Sequence, residues 1–262
     1  MMITSHQNPL VKSTLRLRSS SHRKKQGRFL IDGIREIQLA MSAGYRVETI
    51  FCSSSQEQEL GKLAERSLAP SHPRLTIVSP DILMKLSYGE RNDTPLAVAQ
   101  TPSLPLQDLK VSPESLVLVL DRTEKPGNLG ACLRTSAACS VDAVILTQPL
   151  CDVFNPNVIR ASRGTIFQLP IAVSTAEETR NFFRDSGLST HAARVDGSRN
   201  LWQLDFRQGA AVIFGNEAEG LGADWADTDA FKISMSDRAD SLNLSISAAV
   251  TLYEACRQRT LD

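Results

Sequence analysis

Along the first hundred positions apolar residues fall into short runs separated by stretches with helical spacing. Arg28-Phe-Leu-Ile-Asp-Gly33 predicts a strand ending in a turn, and Ile34, Ile37, Leu39, Ala40 and Met41 a helix stopped at Gly44. Val47-Glu-Thr-Ile-Phe51 predicts a second strand, residues 57–66 a helix, 75–78 a strand, 81–86 a short helix and 95–99 a closing strand. Upstream, the polar residues 4–25 suit a short helix capped by Ser5 or Asn8, with Leu10, Leu15 and Leu17 on its apolar side. Strands alternating with helices imply a small α/β domain over residues 1–100.

Residues 101–115 hold Pro102, Pro105 and Pro113 and read as a linker. The pattern then restarts more strongly over residues 116–262. Leu116-Val-Leu-Val-Leu-Asp121 is a continuous apolar run, as expected of a parallel strand buried on both faces. Further strands are predicted at 144–147, 169–173, 190–194, 211–215 and 231–234, with short helices at 157–164 and 176–184. Asn128 is placed to cap a helix through Leu129, Leu133, Ala137 and Ala138. Ser241 is placed to cap a last helix through Leu242, Ile246, Ala249, Val250, Tyr253 and Cys256. The fold class is therefore α/β, with a small N-terminal domain followed by a larger parallel-sheet domain.

Composition adds mainly exclusions. Lys+Arg and Asp+Glu each number 29, yet residues 1–30 hold seven basic side chains and no acidic one, leaving 22 basic against 29 acidic in the rest. That run is either a solvated helix face or an arm that neutralises phosphates, with Lys12, Arg16, Arg23 and Lys24 its candidate contacts. Five cysteines with no C-x-x-C pair and four scattered histidines suggest neither a disulfide framework nor a metal site. No apolar run is long enough for a membrane span and none resembles a signal peptide, so a cytoplasmic protein is expected.

Ligands of open parallel sheets bind beyond the carboxyl ends of the strands, which directs attention to three loops. The first carries Asn128-x-Gly130-x-x-x-Arg134, equally readable as a cap with a surface arginine. The second is Gly215-Asn-Glu-Ala-Glu-Gly220-Leu-Gly222, whose carboxylates Glu217 and Glu219 suit a neutral or cationic ligand better than a phosphate. The third is Ser241-Leu-Asn243, which capping alone would explain. No dinucleotide-binding, P-loop or nucleophile-elbow motif is present.

In combination these loops say more. In order and spacing, Asn128-x-Gly130-x-x-x-Arg134, Ile213-Phe-Gly215-Asn-Glu217-Ala-Glu-Gly220-Leu, and Ile233-Ser-Met235 followed by Ser241-Leu-Asn243-Leu-Ser245 resemble the three motifs of the SpoU (TrmH-like) family of RNA ribose 2′-O-methyltransferases. Arg160-Ala-Ser-Arg163-Gly164 also resembles that family. Ser5-x-x-Asn8-Pro9-x-x-Lys12 and Phe29-Leu-Ile-Asp-Gly33 are similar to the substrate-binding domain of its two-domain members. Ser234 stands where the family usually has proline, and Asp237 where it often has glycine.

The resemblance implies a C-terminal domain with a deep trefoil knot, S-adenosylmethionine as cofactor, a homodimer formed through that domain with a composite site, and structured RNA as partner. It places cofactor contacts on Gly215, Gly220, Ile233 and Leu242. Arg134 would activate the acceptor hydroxyl, with Asn128, Glu217, Ser241 and Asn243 around it, and Arg163 would contact RNA phosphate. Because a guanidinium stays protonated at working pH, the expected part for Arg134 is to grip phosphate and stabilise developing negative charge. The two-domain arrangement favours ribosomal RNA over transfer RNA. A catalytically silent RNA-binding protein of the same fold is the alternative, distinguished by loss of Asn128, Arg134 or Glu217, and all three are present.

Overall fold

The computed structural model describes residues 2–69, 72–87 and 93–259. The chain forms two compact units, Met1–Ser103 with Asp152–Gln168, and Leu104–Cys151 with Leu169–Asp262. In the first, helices α1 (Pro9–Arg16) and α2 (Ser20–Gln26) precede strand β1 (Arg28–Asp32), helix α3 (Ile34–Ser42) and strand β2 (Val47–Cys52). Helix α4 (Glu57–Glu65), strand β3 (Arg74–Ile77), helix α5 (Pro80–Leu86) and strand β4 (Leu96–Gln100) follow. Asn8 caps α1 as expected, its side chain accepting from the Leu10 amide at 2.9 Å. The sheet runs β1-β4-β2-β3, with β4 antiparallel to both neighbours and β2 parallel to β3.

Side chains alternate across β1. Leu30 joins Val11, Leu17, Phe51, Ile82 and Val98 in one core. On the other face Phe29 stacks on Phe154 with ring centroids 4.5 Å apart, and Tyr45 meets Phe167 edge-on at 5.0 Å. Burial pushes the Tyr45 hydroxyl up to about 12. Residues 152–168, which sequence pattern assigned to the second domain, thus belong to the first unit. Their helix α7 (Pro156–Ala161) is capped by Asn155, and Gly164 adopts φ +81° where an added Cβ would lie 2.9 Å from Leu39.

Arg23 requires a correction. It is 4% exposed; its Nε donates to Asp152 at 2.6 Å and its Nη1 to the Leu17 and Arg18 carbonyls, both at 2.8 Å. A buried guanidinium engaged by three internal acceptors is not available to RNA, so Arg23 is a structural residue. Lys12, Arg16 and Lys24 are exposed, as is Arg163, which adopts φ +52°.

The second unit contains β5 (Leu116–Asp121), α6 (Pro126–Ala138), β6 (Ala143–Thr147), β7 (Ile171–Ser174), α8 (Ala176–Ser186) and β8 (Ser189–Ala193). The short β9 (Arg199–Asn200), β10 (Ala210–Phe214), β11 (Asp229–Lys232) and α9 (Leu244–Arg259) complete it. Among the described residues its seven strands run β7-β6-β5-β10-β8-β11-β9, and every pairing is parallel. Every residue of β5 and β10 is buried, which accounts for their unbroken apolar sequence. The proline-rich stretch is an extended linker only in part. From Leu104 onward it packs on the second unit, with Leu106 and Leu109 in the core beside Val117 and Ala172, and the Leu104 carbonyl accepting from Val173.

Two capping expectations also change. Helix α6 begins at Pro126 after an extended Lys125, so Asn128 sits inside the first turn and is not the cap. Proline is pre-organised for the first helical position and holds the preceding residue extended, which starts the helix earlier than Asn128 would. Helix α9 is opened by Asn243, not Ser241: its side-chain oxygen accepts from the Ser245 amide at 2.9 Å and its carbonyl from Ser247.

Candidate active site

Loops leaving the carboxyl ends of β5, β8, β10 and β11 enclose a cleft of about 570 Å³ in the second unit. This is where the crevice rule for parallel sheets places a ligand. Gly215, Gly220, Glu217, Ile233, Leu242, Ser241 and Asn243 all line it. Phe214 and Phe231, packed edge to face with centroids 6.4 Å apart, contribute apolar wall where β10 and β11 end.

The loop after β10 is built to hold its shape. Asn216 exchanges backbone hydrogen bonds with Gly220, at 3.1 and 2.9 Å, while its side chain accepts from the Ala218 and Glu219 amides and donates to the Arg122 carbonyl at 2.9 Å. Gly220 has φ +68°, a conformation that glycine adopts without penalty. A Cβ on Gly215 would lie 2.2 Å from the Gly220 carbonyl carbon and 2.4 Å from the Leu221 nitrogen, both backbone atoms that cannot yield cheaply. Gly215→Ala is therefore expected to open this loop. Its signature is at least a tenfold loss of cofactor affinity by calorimetry together with a lowered Tm, overpacking of this kind costing about 1–3 kcal/mol. Unchanged affinity would contradict the close approach.

At the margin of the cleft three motifs meet through side chains, Glu217 and Asn243 from its lining and Asn128 from behind them. Asn128 Nδ2 donates to Glu217 Oε1 at 2.7 Å, and Asn243 Nδ2 donates to Asn128 Oδ1 at 3.2 Å. With its amide nitrogen on the carboxylate and its oxygen on Asn243, the orientation of Asn128 is determined from both sides. The other carboxylate oxygen, Glu217 Oε2, is buried with no hydrogen-bond partner. Buried polar atoms are rarely left so, and a carboxylate on the cleft lining with one oxygen uncompensated favours a cationic ligand over an anionic one there. Burial and then the charge of Glu217 push the Cys132 thiol up to about 12, leaving it inert.

Ile233 and Met235 line the cleft in extended chain while Ser234, one residue out of phase, is hydrogen-bonded by Asn200. That bond ties the segment down at the position where proline was expected. Asp237, the other departure, is exposed and does not line the cleft.

Sequence reasoning missed Lys125, Arg194 and Asp240 on the cleft and the Arg122–Glu219 ion pair at 2.9 Å beside it. No motif spacing marks them, because each reaches the cleft through its loop's path. Arg134 departs from expectation in the other direction. It is exposed and absent from the cleft lining, lying six residues along α6 from Asn128, about 9 Å by helical rise and some 120° away around the axis.

The donor set fits S-adenosylmethionine. Glycine backbone allows close approach, Ile233 and Leu242 give apolar walls, and the Glu217 carboxylate suits a sulfonium or ammonium group. Among the described residues no group of His, Cys, Asp and Glu could hold a metal ion, and no helix is long and apolar enough to cross a membrane.

The chain thus combines a parallel-sheet domain, with a cofactor-sized cleft among its loops, and a second α/β unit. Residues 115–253 match the SpoU rRNA Methylase family and residues 8–97 the MRM3-like substrate binding domain. The 23S rRNA (uridine(2479)-2′-O)-methyltransferase of Streptomyces viridochromogenes is 32% identical over 93% of this chain and 87% of its own length. Among solved structures, an RNA 2′-O ribose methyltransferase is 36% identical with a TM-score of 0.82, covering 99% of this chain and all of its own. The SpoU methyltransferase AviRb from Streptomyces viridochromogenes, crystallised with AdoMet, is 29% identical with a TM-score of 0.85, covering 97% and 99%. The chain belongs to the SpoU rRNA methylase family.

Proposed function

We propose that this protein methylates the ribose 2′-hydroxyl of a nucleotide in ribosomal RNA, using S-adenosylmethionine. The observation that carries the reading is the Asn243–Asn128–Glu217 chain ending in an unpartnered buried oxygen at the cleft. The cofactor, when bound, supplies an electrophilic methyl group. Gly215, Gly220, Ile233 and Leu242 hold and shape its site by backbone and apolar contact. Glu217, fixed through one oxygen by Asn128, lines the cleft and lends it negative charge. Ser241 and Asn243 line the wall where the ribose enters, so that the acceptor oxygen is oriented before reaction.

Arg134 lies off its own chain's cleft, and in this reading it belongs to a composite site completed by a second copy. Helix α9 supports a dimer through this unit. Ile246 and Tyr253, seven residues apart and so on one face, are 51% and 58% exposed. Arg134 there grips the phosphate beside the acceptor ribose and stabilises the charge that develops as the hydroxyl loses its proton. Ribosomal RNA is favoured over transfer RNA by the substrate-binding domain match and by relatives named as 23S rRNA methyltransferases, and a cytoplasmic location goes with that substrate.

The test pairs calorimetry with mapping. S-adenosylmethionine is expected to bind the purified protein, and one 2′-O-methyl mark in 23S rRNA is expected to disappear from cells lacking it. Loss of a tRNA mark alone would overturn the rRNA assignment; no cofactor binding at millimolar ligand would make the protein a silent member of the fold.

A further inference from the structure

The first unit carries a groove that the catalytic reading leaves unused. Ile34 and Gln38, one turn apart on α3, face Gln58, Lys62 and Arg66, spaced four residues apart along α4 and its C-cap. Between these two ridges lies a space of about 350 Å³, near the lower end of the ~300–1,000 Å³ range of ligand sites. Ile34 and Leu63 are half-buried and form its apolar part.

The polar residues here are uncommitted. Gln38, Gln58, Lys62 and Arg66 are exposed, and among the described residues no side-chain hydrogen bond or ion pair engages them, in contrast to Arg23, Arg18 and Arg28 of the same unit. Glu59 is the single acid on the groove, so its lining carries a net positive charge. Each amide offers both donors and an acceptor, the complement of a base's Watson–Crick edge, while two cations about 6 Å apart along a ridge, four residues of helical rise, suit successive phosphates. Apolar contact for a ring, amides for its edge and cations for its backbone are the requirements of an unpaired nucleotide.

We infer that the α3–α4 groove is an RNA-binding site that seats a single unstacked nucleotide of the substrate, Gln38 and Gln58 reading the base and Lys62 and Arg66 holding flanking phosphates. The inference rests on the RNA-methyltransferase reading. It adds to that reading a place where target choice is made, on the unit that does not carry the catalytic cleft.

The test uses the full chain and fluorescein-labelled single-stranded U, A and C oligonucleotides, with protein-free 23S rRNA as the structured probe. Lys62→Ala/Arg66→Ala is expected to weaken binding roughly tenfold and reduce the slope of log affinity against log salt by about 1.4, at about 0.7 per single-strand phosphate. Lys62→Arg/Arg66→Lys should restore the slope. Gln38→Ala/Gln58→Ala should flatten the preference among the three oligonucleotides and leave the slope unchanged. S-adenosylmethionine affinity, measured on every variant, should stay at the wild-type value, and an unmoved thermal melting curve certifies the fold of the mutated unit. Wild-type affinity and slope in the cation variant would overturn the site. So would loss of binding to a ribosomal-protein-containing particle with naked RNA binding intact, which would make the groove a protein dock. If the wild-type chain bound S-adenosylmethionine but no RNA, the functional reading would fall together with the groove. A wild-type chain that methylates RNA while the groove variants match it in both binding measures would sink the groove alone.

Discussion

Arg23→Ala will unfold the first unit before it weakens any grip on phosphate. The guanidinium is 4% exposed and satisfies an Asp152 carboxylate and two main-chain carbonyls at the end of α1, so its removal leaves a carboxylate and two acceptors without their donors. Breaking one side of a buried pair in this way costs about 3–5 kcal/mol, a large share of the stability of a small domain. The measurement is thermal or urea unfolding. A marked fall in Tm or in the urea midpoint is expected, along with loss of RNA binding and weakening of every activity that needs the intact fold. Lys24→Ala, at the neighbouring exposed position, should leave the melting curve unmoved and only reduce the salt dependence of RNA binding. A stable Arg23→Ala protein with an RNA defect alone would restore the arginine to the arm and contradict the geometry.

Asn128→Asp should have the second large effect, this time on turnover. The substitution keeps the shape of the side chain but replaces the amide that donates to Glu217 at 2.7 Å with a carboxylate. Two carboxylates at that separation cannot both ionise, so one takes up a proton with a raised pKa. Below that pKa the pair shares the proton and approximates the native contact; above it the two repel and Glu217 leaves its place. The variant's activity is therefore expected to rise as pH falls from 8 to 6, and to lie about a hundredfold below wild type at pH 8, the scale of losing one positioned active-site group. Asn128→Ala should be as slow without the recovery at low pH. Cofactor affinity should fall in both as far as the displaced Glu217 carboxylate contributes to it, and less than turnover, since the glycine backbone and the apolar walls stay in place. Equal losses in affinity and rate would assign Asn128 to cofactor binding instead.

Much of this was legible in the sequence because it is local. Alternating and continuous apolar runs located the strands of both sheets to within a few residues, the two-residue β9 excepted, and Gly215, Gly220 and Glu217 fell on the cleft while Gly130 is buried in α6. What escaped was non-local or depended on competing local chemistry. Nothing near Arg23 signals that Asp152, 129 positions away, will neutralise it. A basic run looks the same whether its cations face water or the interior. Pro126 displaced Asn128 from the cap, and freed from capping its side chain joins Glu217 to Asn243. Antiparallel β4, inserted between β1 and β2, could not be read from alternation alone, because strand spacing says nothing about direction. Arg134 shows the converse: its spacing from Asn128 was plain in sequence, and only helical geometry reveals that the two side chains point apart.

The return of residues 152–168 to the first unit bears on how the protein is made. Phe29 and Tyr45 are synthesised early, yet their partners Phe154 and Phe167 are encoded beyond the first strands of the second sheet. At about 5–20 residues per second, the early aromatic face waits several seconds on the ribosome before it can be covered. The usual order, in which an N-terminal domain finishes before the next begins, is therefore closed to this chain. Both units must complete in overlapping intervals, and a nascent chain stalled shortly before Phe154 would present an open aromatic surface to chaperones.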